Sequence, residues 1–405
     1  MTLPISEAFD RVLAGEPGDL TSFYRRSCDE NPIFWSDTNS KWIISKYNDQ
    51  REILLDEETF GPVTQGVGST GIYGRTIIHM EGTEHRRKDT MISHHLRNRK
   101  LLSSSQETYI RKLCENLIDK LPVEEPLDLK AGLCTPLPLE VIAWLIDIEE
   151  AVQLRSTYDR MVSAGSSNQS GDPEIQKDGE KAVEELFVLL RPLIEERRQN
   201  PGEDLLSTLC TAEYEEERLS ETEILSFAVF LMAAGVETTD RSLSGLLRIL
   251  ISNPNLWTQL RNERQLLNSA IAEGLRFAPP VHAINREVRK DVTIQGQEIS
   301  KGSKLLLLLG AGNRDPEIFE EPDQFRIDRF AENADAQFSA NATVLSFGHD
   351  RHFCTGSLLA KLEMIEGMNI LLDRFESIRW ASSEPEECGY VLRSPDSLPV
   401  LLSTT

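Results

Sequence analysis

Phe347-Gly348-His349-Asp350-Arg351-His352-Phe353-Cys354-Thr355-Gly356 is the stretch on which the reading of this chain turns. A single cysteine stands between a turn-forming, cationic run and an apolar periodic segment. Leu358, Leu359, Leu362 and Ile365 recur among polar positions, and the pattern runs on to Phe375, which predicts a helix. Cys354 therefore falls at or just before a helix N-terminus. The helix dipole and the neighbouring Arg351 and His352 both favour a thiolate there. Such a thiolate is a good soft ligand for iron. A lone cysteine is more often an inert, buried side chain; the spacing around Cys354 is what argues for chemistry.

The rest of the composition sets bounds. A formal charge of −23 disfavours nucleic acid and anionic membrane as partners. No run of about 18 apolar residues is evident. Met1-Thr2-Leu3-Pro4 does not open a signal peptide. A cytoplasmic protein without a membrane anchor is the expectation. The six cysteines are scattered with no C-x-x-C pair, which points to reduced thiols rather than a disulfide framework or a zinc site. Arg97, Arg99, Lys100, Arg351 and Lys361 are cationic positions expected to share a face.

Outward from the cysteine, the chain is mostly helical. Residues 1–35 look irregular with one short helix, 41–47 read as a strand, and 50–56 as a helix. Gly66, Gly68 and Gly71 satisfy G-x-G-x-x-G, but no βαβ unit surrounds them, so 61–78 reads as a loop. Helical spacing dominates 103–200 and is interrupted by turn formers at 163–173. The segment 220–251 reads as one long helix, with Ser220 as N-cap and Glu223 completing a capping box. Ile224, Phe227, Ala228, Leu231, Ala234, Gly235 and Thr238 share a face, so this helix is expected to be buried. Glu237-Thr238-Thr239 interrupts it with polar groups that need partners or a task. Glu273 and Arg276 lie on one helix face, and Pro279-Pro280 ends that helix. Residues 291–299 read as a hairpin turning at Gly296, and 304–309 as a buried strand.

Four of these stretches, in this order, resemble the cytochrome P450 family. Phe347, Gly348, His352, Cys354 and Gly356 match its cysteine-ligand pattern F-G-x-G-x-H/R-x-C-x-G. Asp350 stands at a family glycine, and Asp is among the residues that tolerate left-handed backbone. Ala234-Gly235-Val236-Glu237-Thr238-Thr239 resembles the family's acid–alcohol stretch, Glu273-Gly274-Leu275-Arg276 its E-x-x-R, and Arg329 the third partner of that pair. Met80 to Asp89 resembles a helix start whose His and Arg meet haem propionates. His85 matches; Asp89 stands at the arginine position. Arg86 and Arg87 are adjacent alternatives, while Arg86 and Lys88 read more simply as a solvated helix start.

The resemblance covers about Trp42 to Leu402. It implies a mainly α, triangular helical fold with a small β-sheet region, a single domain over 1–405, and haem b (iron protoporphyrin IX) between the central helix and the cysteine loop. Cys354 would be the axial iron ligand. Phe347, Gly348, His352, His85, Arg286 and Gly235 would contact the haem. Glu237 and Thr238 would be catalytic, guiding protons to dioxygen, and Glu273, Arg276 and Arg329 a structural triad. Ala233, Ala234, Val281, His282, Ala283 and Ile284 would line the substrate pocket. The implied activity is monooxygenation of a hydrophobic small molecule in natural-product metabolism. A ferredoxin and its NAD(P)H-dependent reductase would supply electrons at a cationic face near Arg351. Coupling, desaturation or ring formation on the same fold, and a non-catalytic haem sensor, are the alternatives.

Overall fold

The computed structural model describes residues 3–13, 20–63, 71–97, 105–148, 151–168 and 171–404. Its axis is the helix Glu221–Ser252. Sequence chemistry starts it where expected. Ser220 Oγ accepts from the Glu223 N–H at 3.3 Å, and the Glu223 carboxylate accepts from the Ser220 N–H at 2.8 Å. By length and composition it is the one described helix able to cross a membrane, yet 67% of that window is buried inside the protein, as befits a core helix. It packs against Pro136–Leu145, Pro173–Gln199, Leu267–Phe277 and Ser357–Arg374. Gly235 makes one of these approaches possible: a Cβ there would lie 2.8 Å from Ile142 Cδ1.

A five-stranded sheet lies to one side, in the spatial order Ile33–Ser36, Lys41–Ile44, Lys304–Leu307, Ile284–Val288, Phe60–Gly61. Lys304–Leu307 runs parallel to Lys41–Ile44 and antiparallel to Ile284–Val288, with Leu305 opposite both Trp42 and Arg286. Residues 291–299 form the expected hairpin, Val292–Ile294 with Gln297–Ile299. Gln295 and Gly296 fill the two-residue turn, both at positive φ. The N-terminal expectation is corrected: two helices, Ile5–Leu13 and Leu20–Asp29, replace the single one. Phe9, Phe23 and Tyr24 from them bury a second, smaller core against Phe34, Ile43, Ala283 and Leu306 of the sheet. The G-x-G-x-x-G stretch lies outside the described residues except for Gly71.

The E-x-x-R helix fixes the ground under the cysteine loop. Glu273 and Arg276, both fully buried, pair at 2.7 and 2.8 Å. Arg329 Nε reaches both Glu273 oxygens at 3.0 Å. Arg276 also donates to the carbonyls of Asn313 and Pro322, and its guanidinium lies 5.3 Å from the Phe319 ring centroid. From Asn313 the network passes on. The Asn313 side chain accepts from the Leu345 N–H at 2.8 Å and donates to Ser346 Oγ at 3.1 Å. Those two residues immediately precede Phe347, so the triad's order is transmitted to the loop.

Candidate functional site

Leu345–Phe347 forms a single 3₁₀ turn, and Gly348 leaves it at φ +73°, where a Cβ would sit 3.1 Å from the His352 carbonyl oxygen. Asp350 adopts φ +54°, the left-handed region that the family's glycine would occupy, so the departure is accommodated by the backbone. The loop closes with the Cys354 N–H on Phe347 O at 2.8 Å and the Phe353 N–H on Asp350 O at 3.0 Å. The helix Ser357–Arg374 then begins with Gly356 as N-cap, three residues past the thiol, as the sequence predicts. Cys354 is exposed although Phe353 and Ser357 beside it are buried. The thiol thus stands at a helix N-terminus, where the dipole favours a thiolate.

Basic side chains gather near this loop. The His85 and His352 rings lie 4.2 Å apart, centroid to centroid. Burial pushes His352 down to about 3, and His85, Arg286 and Arg351 add to the effect. Its Nε2 is buried without a hydrogen-bond partner; Glu57 Oε1, at 3.7 Å, is beyond reach. Arg286 is pushed down to about 10, chiefly by burial. Its guanidinium donates to the carbonyl of Asn285 at 2.9 Å and, among the described residues, forms no ion pair. The partly covered Arg286 cation and the buried His352 ring nitrogen are thus left with room for an anionic acceptor.

The donor set fits haem. Among the described residues no three His, Cys, Asp or Glu side chains converge as a metal cluster. A metal on Cys354 would have to bring its other ligands with it, as a porphyrin does. The two propionates of haem b would give Arg286 a counter-charge and the His352 Nε2 a hydrogen-bond partner.

On the central helix, Phe230, Ala234, Thr238 and Arg241 are only partly covered between buried neighbours. Their spacing places them on one stripe of the helix. Thr238 donates to Ala234 O at 2.7 Å, leaving its hydroxyl lone pairs as acceptors. Glu237 is buried. It accepts from Arg241 Nη2 at 2.8 Å and from Ser166 Oγ at 2.9 and 2.8 Å. Burial raises its pKa, and Arg241 and Ser166 oppose the rise.

Several expectations need correction. His282 does not stand free as a pocket wall: its Nδ1 shares a 2.6 Å hydrogen bond with the Tyr24 hydroxyl, and Ala283 is buried in the smaller core. Ala233 is also buried, on the covered side of its helix, whereas Ala234, Val281 and Ile284 remain partly open. Gly235 meets Ile142, so its missing side chain serves helix packing. Arg86 is solvated as expected, but Lys88 is buried and pairs with Glu223 at 2.9 Å and Glu217 at 3.3 Å. Arg87 is engaged by Glu215 and Glu217 and does not replace the arginine absent at Asp89. On the expected cationic face, Arg351 pairs with Glu57 and Lys361 with Asp335; Arg99 and Lys100 lie outside the described residues. Sequence reasoning missed Ser166 and Arg241, although Arg241 stands four residues from Glu237, a spacing that signals a helix ion pair.

A thiol loop, an acid–alcohol stretch on a buried helix and basic side chains beside the loop fit a haem-thiolate site. The family model for Cytochrome P450 matches residues 148–391. The pulcherriminic acid synthase of Bacillus subtilis (strain 168) is 31% identical over 382 residues, 94% of each chain. Among solved structures, CYP109E1 from Bacillus megaterium in complex with testosterone superposes with a TM-score of 0.83 at 27% identity, covering 95% of this chain and 99% of that one. The cytochrome P450 PksS of the Bacillus subtilis 168 bacillaene polyketide synthase superposes with a TM-score of 0.85 at 26% identity over 100% of both chains. The chain belongs to the cytochrome P450 family. It has that family's fold, binds haem b and is a monooxygenase that works with redox partners on a hydrophobic substrate.

Proposed function

We propose that Cys354 is the axial ligand and that Glu237 and Thr238 handle protons in the oxidation of a hydrophobic natural product, terpenoid- or polyketide-like. The observation that carries this reading is the exposed Cys354 thiol at a helix N-terminus, on a loop held in left-handed turns by Gly348 and Asp350. Bound there, the haem supplies dioxygen activation, with the thiolate donating electron density. Arg286, His352 and His85 bind and orient it through its propionates. The Asn313 link to Leu345 and Ser346 keeps the loop in register. Ala234 leaves room beside the site, and the Thr238 hydroxyl offers acceptors for a water or a small ligand. Glu237 holds a proton at its carboxyl oxygens and passes it inward; positioned proton transfer of this kind contributes about 10²–10⁴ in rate.

The partly open apolar positions Ala234, Val281 and Ile284 support a hydrophobic substrate. The natural-product assignment leans on the synthase from Bacillus subtilis and on PksS, and the testosterone complex supports a bulky apolar ligand. The whole chain acts as one domain in the cytoplasm, fed by a ferredoxin and its NAD(P)H-dependent reductase. The test is the absorption spectrum of dithionite-reduced protein under carbon monoxide, for wild type and Cys354→Ala. A long-wavelength Soret band in wild type, lost in the variant, is expected. A short-wavelength band in folded wild type would overturn thiolate ligation. Displacement of iron-bound water by members of a terpenoid and polyketide library then identifies the substrate class.

A further inference from the structure

Glu237 does not stand alone on the central helix. Arg241, one turn on, donates to its Oε1 through Nη2 at 2.8 Å and Nε at 3.2 Å. Ser166 reaches both carboxylate oxygens from the π-helical turn Ser163–Ser167, which lies between the helices Ala151–Val162 and Pro173–Gln199. Arg241 Nη1 donates onward to Ser394 Oγ at 3.2 Å, and Lys130 Nζ meets the same hydroxyl at 3.3 Å. Lys130 pairs with Asp240 at 3.0 Å, and Asp240 also accepts from Thr135 at 3.2 Å and Ser244 at 3.1 Å. Two ion pairs on successive helix positions thus share one bridging serine. The Glu237 and Arg241 side chains are 7% and 14% exposed, so bulk water does not screen them.

We propose that Arg241 and Ser166 are positioning residues that hold the Glu237 carboxyl in its charge-accepting form, so that its proton exchange is set by the turn Ser163–Ser167 and by Ser394. This rests on the reading of Glu237 as a proton relay. Every contact on the carboxylate comes from a donor, and donors to an ionised carboxyl favour that form. The other groups facing it are Asp240 on its own helix, Tyr158 from Ala151–Val162 and Tyr73 from Gly71–Tyr73. Both phenols are pushed well above their ordinary range, chiefly by burial, and stay neutral. Asp240 has its own cation in Lys130. Arg241 is therefore the charge that opposes burial at Glu237. Burial disfavours the ionised acid; the guanidinium and the Ser166 hydroxyl oppose that, which favours both giving and taking a proton.

The test is an infrared titration of the carboxyl C=O stretch in the haem-loaded protein, with Glu237→Gln to assign the band. In Arg241→Met the protonated band is expected to persist to a pH about 1–3 units higher than in wild type. Arg241→Lys restores most of the shift, and Ser166→Ala moves it less, in the same direction. The pH profile of kcat moves with the band, while the reduced carbon monoxide spectrum and the KM for substrate stay as in wild type. A titration unchanged in Arg241→Met overturns the proposal. Should that variant not accumulate folded protein, an unchanged titration in Ser166→Ala overturns it equally. The two readings fail separately. Full turnover in Glu237→Gln removes the relay while a shifted band still stands; impaired turnover with an unmoved band removes the role of Arg241 and Ser166 alone.

Discussion

Two charged clusters flank the cysteine loop, and they are built on opposite rules. Around Glu273 every charge is answered: Arg276 and Arg329 supply the cations, and backbone carbonyls at Asn313, Pro322, Glu320 and Gln324 take the remaining donors. Around Arg286 the pairing is incomplete: Glu57 and Glu81 act on it from a distance, its guanidinium forms no ion pair among the described residues, and the neighbouring His352 Nε2 has no hydrogen-bond partner. A fully buried charge such as Glu273 must be paired for the chain to fold, whereas a partly covered guanidinium and an orphaned ring nitrogen leave polar groups for something outside the chain to complete. A satisfied cluster therefore marks framework, and an unsatisfied one marks where a ligand belongs. The acid Glu237 is a third kind. It is satisfied, but partly by a hydroxyl on a short connecting turn.

The sharpest way to break this contrast is to remove one charge from each cluster. Glu273→Ala leaves two arginines without their carboxylate in the interior. It is expected to cost about 3–5 kcal/mol of stability, read from denaturant midpoints, whether or not haem is present. Arg286→Met has the reverse signature. The haem-free protein is expected to be as stable as wild type or slightly more so. Haem retention, measured as transfer to apomyoglobin, is expected to weaken by about 1.5–3 kcal/mol, the worth of a hydrogen bond to a charged group. Equal losses of haem-free stability in the two variants would erase the distinction.

What was legible in the sequence follows the same division between local and distant partners. The central helix, its capping box at Ser220 and Glu223, and the helix after Cys354 are written in spacing and cap chemistry within a few residues. So is the Glu273–Arg276 pair, three residues apart. Arg241 aside, which helix spacing could have paired with Glu237, what escaped depends on partners far along the chain. Ser166 is 71 residues from Glu237, and Tyr24 is 258 from His282. No periodicity carries such information. Lys88 was misjudged for the same cause: its charge suggests solvent, but Glu217 and Glu223 arrive from the far end of another segment and bury it.

Asp350 sharpens the comparison at a smaller scale, because the loop between the clusters is held by backbone shape rather than charge. At φ +54° it occupies a conformation that costs most side chains about 1–2 kcal/mol. Asp350→Val is expected to lose about that much, with a broadened reduced carbon monoxide band as the thiol loop shifts. Asp350→Gly is expected to stay within about 0.5–1 kcal/mol of wild type, since relief of strain is offset by added freedom in the unfolded chain. Calorimetry on the three proteins gives the ranking directly.

His282 belongs with the framework by geometry, yet it carries a hidden liability of the other kind. It is buried against Tyr24 and pushed down to about 3 from its ordinary 6.5, first by burial, with Glu387 opposing. The folded protein keeps the ring neutral, whereas the unfolded chain protonates it near 6.5. Between those two values the unfolded state binds the extra proton, so stability is fully present above 6.5 and is lost as pH falls toward 3. The loss approaches about 1.4 kcal/mol per pH unit, the slope for one proton. His282→Asn keeps a hydrogen-bonding group beside the Tyr24 hydroxyl but cannot titrate. Denaturant midpoints at several pH values between 7 and 4 are expected to fall more steeply for wild type than for this variant. Parallel curves would mean that His282 opens to solvent before it protonates, and that the smaller core is less closed than its packing indicates. A steeper wild-type curve places the acid sensitivity of the fold in a neutral, satisfied pair, distinct from the Arg286 guanidinium and the His352 ring nitrogen that the propionates would complete.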